Sequence, residues 1–115
     1  NTPLQALATL NDISFIEVAR VLAQDLLRQH PDDDRQVIDL MARRILARPL
    51  KTAEVEVVSG TLRDLLAHYT GHPADAAEVL KHGEAKPDPE LAAPRVAAFT
   101  LVANQLLNLD EALNK

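Results

Sequence analysis

The chain has 115 residues, of which 47% are apolar, 3% aromatic and 25% charged, with a formal net charge of −5. That length fits a single domain able to bury about two-thirds of its unfolded surface, and the aliphatic, aromatic-poor balance favours packed helices over a β-sandwich. The acid excess argues against a general nucleic-acid binder, and the absence of cysteine excludes disulfides, thiolate zinc sites, thiol nucleophiles and covalently attached haem.

The opening stretch, Asn1 to Asp12, has the pattern of a helix. Thr2 offers a hydroxyl cap, Pro3 suits the first helical position, and Leu4, Leu7 and Leu10 recur at helical spacing. Asn1, Gln5 and Asn11 add amides that need partners wherever they are buried. A second helix, capped by Asp12 or Ser14, is predicted to run to about Gln29, with Phe15, Ala19, Leu22 and Leu26 along its inner face and Ile16, Ala23 and Leu27 widening it. His30-Pro31 ends it. Of the acidic run Asp32-Asp33-Asp34, Asp34 is the expected cap of a third helix; a hard cation would need six or more oxygens from a shaped loop, so turn and cap is the preferred reading.

The third helix is expected from Arg35 to about Ala47, with Ile38, Met41, Ala42, Ile45 and Leu46 inward and a stop at Arg48-Pro49. Arg43, Arg44, Arg48 and Lys51 suit a helix C-terminus, and the same four cations form a candidate anion site. Thr52 is the expected cap of a fourth helix with Val55, Val58, Leu62, Leu65 and Tyr69 buried. Gly60 within it costs about 1 kcal/mol relative to alanine, which anticipates a close approach by another helix or a bend. Gly71 is expected to end this helix in a left-handed turn, after which Pro73 opens a short fifth helix that Gly83 closes. His68 and His72 have the spacing of a helical metal pair, with His82 a conceivable third ligand. A helix end at Gly71 means that the two rings need not share a face, and no metal site is assigned. Lys86-Pro87-Asp88-Pro89 reads as a surface connection. The last helix is expected from Ala93-Pro94 to about Asn108, with a further turn to Leu113.

Asn104, Gln105 and Asn108 repeat on that last helix the amides of the opening stretch. The expectation is a polar clasp or cleft joining the chain ends through Asn1, Gln5, Asn11, Asn104, Asn108, Asp110 and Glu111. The fold class expected is all-α: one compact, irregular bundle of five to six helices over residues 1–115. No apolar run reaches the roughly 20 residues that cross a bilayer. The sequence leaves oligomeric state open.

Three stretches together, NTPLQALATLND at the opening, RRILARPLKTAEVE in the middle and LVANQLLNLDEAL at the close, resemble the C-terminal region of the planctomycete-type cytochrome-c-associated proteins of unknown function. The resemblance spans Asn1 to Leu113. It implies a helical, non-catalytic structural or interaction module, cut from the C-terminal part of a larger exported, extracytoplasmic protein, with the upstream domains of that protein as its partner. Any haem would then sit upstream, since this segment has no attachment motif and implies no cofactor of its own. The family pattern often has glycine where this chain has Ala47, which bears on how the third helix ends. The alternative is part of a hydrolytic or polymer-processing site using Asp110, Glu111 and nearby amides, because paired carboxylates act as acid and base when their environments differ.

Overall fold

The computed structural model describes residues 13–81 and 86–113, and the side chains of residues 16–81 and 86–108. The expected opening helix, with Asn1, Gln5 and Asn11, lies outside the described residues, as do His82 and Gly83. Five helices follow one another: α1 (Ile13–Gln29), α2 (Asp34–Leu46), α3 (Thr52–Gly71), α4 (Pro73–Lys81) and α5 (Ala93–Leu113). Among the described residues there is no strand, so the chain is the all-α bundle that its composition favours.

The helix ends follow local chemistry, with corrections. Asp33, not Asp34, caps α2, its Oδ1 accepting from the Gln36 N–H at 3.1 Å. At the far end, Ala47 carries the left-handed conformation, φ 60° and ψ 26°. This is the position for which a helix terminus favours glycine, and a Cβ there costs about 1 kcal/mol. Lys51 occupies the cap position of α3, one residue before the expected Thr52, and the Glu54 carboxylate accepts from its backbone N–H at 2.8 Å. Gly71 is the last helical residue rather than a left-handed terminus, and His72 follows as the cap. Among the described residues no second helix comes within 4 Å of a Cβ built at Gly60, which meets only an Arg63 guanidinium nitrogen at 3.7 Å.

α5 is the axis of the bundle, touching all four other helices. From Val96 to Asn104 every residue is buried, whatever face of the helix it occupies. Such a helix is apolar all round rather than along one stripe. The others are ordinary amphipathic helices laid around it: α1 buries Ala19, Ala23, Leu26 and Leu27, α2 buries Val37, Ile38, Met41, Ala42 and Leu46, and α3 buries Val58, Leu62, Leu65 and Tyr69. The C-terminal end of α1 meets the N-terminal end of α5. Asp88, just ahead of α5, is tied to the C-terminal half of α1 by Arg28 at 2.6 Å and Gln24 at 3.2 Å, and Arg95 donates to the Pro31 carbonyl at 3.2 Å.

Candidate functional site

The corner between α2 and α3 gathers most of the cations marked in the sequence. Pro49 keeps the Arg48-Pro49 step extended, which brings the Arg48 guanidinium onto Glu54 through two parallel bonds of 2.9 and 3.0 Å. Together with the Lys51 N–H, this holds the Glu54 carboxyl at a pKa of about 2, against an ordinary 4.5. Arg43 pairs with Asp39 at 2.9 Å one turn back. Of the four candidate anion-binding cations, two therefore already carry carboxylate partners, while Arg44 and Lys51 stand exposed. The middle motif of the sequence builds a helix–helix corner.

The amides of the last helix are divided among different surroundings. Gln105 reaches α3, donating to Thr61 Oγ1 at 3.1 Å, while its Oε1 is buried without a partner among the described residues. Asn104 is fully buried, and among the described residues neither Oδ1 nor Nδ2 has a hydrogen-bond partner. Asn108 is half-buried. α5 continues through Asp110 and Glu111, but their side chains lie outside those described, so the structure brings no acid–amide constellation into view. Three further buried polar residues, Arg20, Gln24 and Thr100, gave no signal in the sequence. Arg20 is fully buried on α1, its guanidinium 3.5 Å from Gln24 Oε1, and Thr100 satisfies its hydroxyl by donating to the Val96 carbonyl at 2.7 Å.

The sequence left open whether the two histidine rings share a face. The rings of His68 and His72 do share a face, stacked with centroids 4.4 Å apart and planes 13° apart. Helix α3 reaches Gly71, so His72 falls one turn after His68. His72 Nδ1 bonds the His68 carbonyl at 2.9 Å, and His68 Nε2 meets the Asp75 carboxylate of α4 at 2.8 Å. Both contacts lock the α3–α4 joint. Among the described residues no group of three or more potential ligands is placed to hold a metal ion. Tyr69 beside them is buried, and burial together with the Asp75 charge pushes its phenol upward.

One feature of the surface was not signalled by any motif. α2 and α3 meet at the corner and then diverge, leaving a trough lined by Asp34, Arg35 and Ile38 on one side and Val55, Glu56, Ser59, Leu62, Arg63 and Leu66 on the other, about 680 Å³ in volume. A second hollow of about 340 Å³ shares Arg35, Ile38, Val55 and Ser59 and extends the trough to Asp33, Gln36, Asp39 and Leu50. A sequence pattern marks which residues are apolar, but not that two neighbouring helices part.

A family model described as PSD1, protein of unknown function (DUF1553), matches residues 1–62. No curated protein and no solved structure matches the chain.

Proposed function

With residues 1–62 matched, the chain belongs to this PSD1 family of unknown function, and from that premise we propose that it is a non-catalytic helical interaction module within a larger exported, cytochrome-c-associated protein. The observation that carries the reading is the outer face of α1. Val18 is 64% exposed and Val21 44% exposed, one turn apart, on a helix whose inner face is already buried. Single exposed apolar residues are ordinary, but a pair on one strip of an already docked helix suits a second contact surface. The motif resemblance supports the wider setting: a periplasmic or otherwise extracytoplasmic protein whose upstream domains supply the partner and any haem. The shifted carboxyls agree with a structural role, since both Glu54 and Asp88 are lowered by arginines that tie segments together. Among the described residues no helix is long and apolar enough to cross a membrane.

The test compares amide hydrogen exchange along α1 in the 115-residue chain and in the longer protein. The expectation is added protection around Val18 and Val21 in the longer protein, lost in a Val18→Asp, Val21→Asp double variant. Equal exchange in both settings would refute this docking face.

A further inference from the structure

We infer that a hollow between α3 and α5 is the seat of the chain's own opening segment, residues 1–12. Three observations point to that occupant. The first is the hollow itself. Ala53, Glu54, Val57 and Val58 of α3 and Gln105 of α5 line a space of about 200 Å³, room for one or two aliphatic side chains. Its apolar wall is accessible: Val57 is 63% exposed, and Ala53, one turn back along α3, is exposed as well. An aliphatic side chain entering here would take Val57 out of water together with itself.

The second is the amide on the α5 side. Thr61, one turn beyond Val57, accepts from Gln105 Nε2 at 3.1 Å, and Gln105 Oε1 is buried without a partner among the described residues. Turning the amide over only exchanges its ends, because the Thr61 hydroxyl then serves the oxygen and leaves the nitrogen. A buried amide end left alone costs about 1–3 kcal/mol. The seat therefore favours an occupant that brings an amide of its own beside its apolar atoms.

The third is charge. The carboxylate on the lining is engaged: Arg48 holds both oxygens of Glu54 at 2.9 and 3.0 Å, and the Lys51 N–H donates to one of them as well. The described lining thus offers no unpaired charge, and a charged occupant would lose its hydration with nothing to offset it. In a chain that is 25% charged, two runs exceed ten residues without Asp, Glu, Lys or Arg. One, residues 96–109, lies in the axis α5; the other is residues 1–11. At helical spacing Leu4, Leu7 and Asn11 of that run fall on one face, as i, i+3 and i+7. Two leucines suit the hollow, and the Asn11 amide, donor and acceptor together, suits Gln105. Reach is no obstacle. Asn11 stands two residues ahead of Ile13, where α1 begins, and Leu4 nine residues ahead, up to about 30 Å of extended chain against a molecule of 33 × 30 × 25 Å. Val18 and Val21 do not line this hollow, so the outer face of α1 stays open to its own partner.

The experiment uses the 115-residue chain with leucine and valine methyl groups labelled, and reads methyl–methyl NOEs. Expected are NOEs from Leu4 or Leu7 to Val57 and Val58 that persist on dilution and arise within one molecule when differently labelled chains are mixed. Val57→Asp should release the segment and raise amide exchange at residues 4–10 by about tenfold, the change that losing one aliphatic contact makes in a local opening equilibrium. Glu56→Gln, on the same helix but outside the hollow, should leave that exchange unchanged. Asn11→Ala and Gln105→Ala should each raise it, and the double variant no further than the larger single effect. Val57 is exposed, so helicity equal to the parent's separates release from unfolding, and the parent NOEs decide the matter should the variant not fold. NOEs between molecules would give the hollow to a second copy, NOEs to another surface would put the segment elsewhere, and no NOE to Val57 or Val58 would leave the hollow without it. Each of these overturns the inference, as do unchanged exchange in Val57→Asp and additive effects at Asn11 and Gln105.

Discussion

α5 and the α2–α3 pair are both helical, yet different forces place them. α5 is buried on every side from Val96 to Asn104, so its position is fixed by the area it removes from water and by the shape of its neighbours. The α2–α3 pair is fixed at one end by a corner of polar chemistry, the Arg48–Glu54 fork and the Lys51 cap, and opens at the other into the trough. A core of this kind does not vary its contacts without loss. The pair held at its corner is instead open along part of its length among the described residues.

The sharpest way to break this contrast is to cut into the axis. Phe99 is fully buried, and Phe99→Ala should cost about 3–5 kcal/mol in urea unfolding, by lost transfer energy and the cavity left behind. A cost under about 1 kcal/mol would mean that α5 is not the core. A smaller effect of opposite sign is expected at Asn104, whose buried amide has no partner among the described residues. Asn104→Leu, similar in shape, should stabilise by about 1–2 kcal/mol. If it destabilises instead, the amide is engaged, and Gln5 and Asn11 are the partners that the sequence marks for double-mutant cycles.

At the corner the effects are smaller. Ala47→Gly should add about 1 kcal/mol, because the left-handed backbone no longer holds a Cβ. A loss would show that the αL turn is not what ends α2. The smallest effect at neutral pH belongs to Glu54, and it takes the form of a pH window. Its folded pKa lies near 2, below the ordinary 4.5, so its contribution is present above about 4.5 and is lost as pH falls towards 2. Thermal midpoints measured across that window should fall in the parent chain and flatten in Glu54→Gln. An unchanged acid limb would remove the Arg48–Glu54 fork from the account of the corner.

Much of the fold was legible because helix ends are local. Pro31, Pro49, Pro73 and Pro94 mark starts or stops whatever surrounds them, and the elements from Ile13 to Leu113 fall within a residue or two of expectation. The misplacements are local too: Asp33 outcompeted Asp34 for the α2 cap, and Gly71 stayed helical, which brought His72 onto the face of His68. Of the candidate site residues, the amides of the closing helix were visible as a group, but their directions were not. Gln105 turned to Thr61 while Asn104 was enclosed without a partner among the described residues.

The sequence by itself determined that this is a helical chain, where its described helices begin and end, and which motif turns α2 into α3. These follow from dihedral preference, capping and spacing, all acting within a turn or two. Only the tertiary structure decided that α5 is the axis, that Arg20 and Asn104 are enclosed, and that α2 and α3 part to leave Arg35 and Arg63 facing one channel. Burial and divergence are properties of neighbours distant in the chain, and a helix with an apolar residue on every face carries no stripe from which to read them.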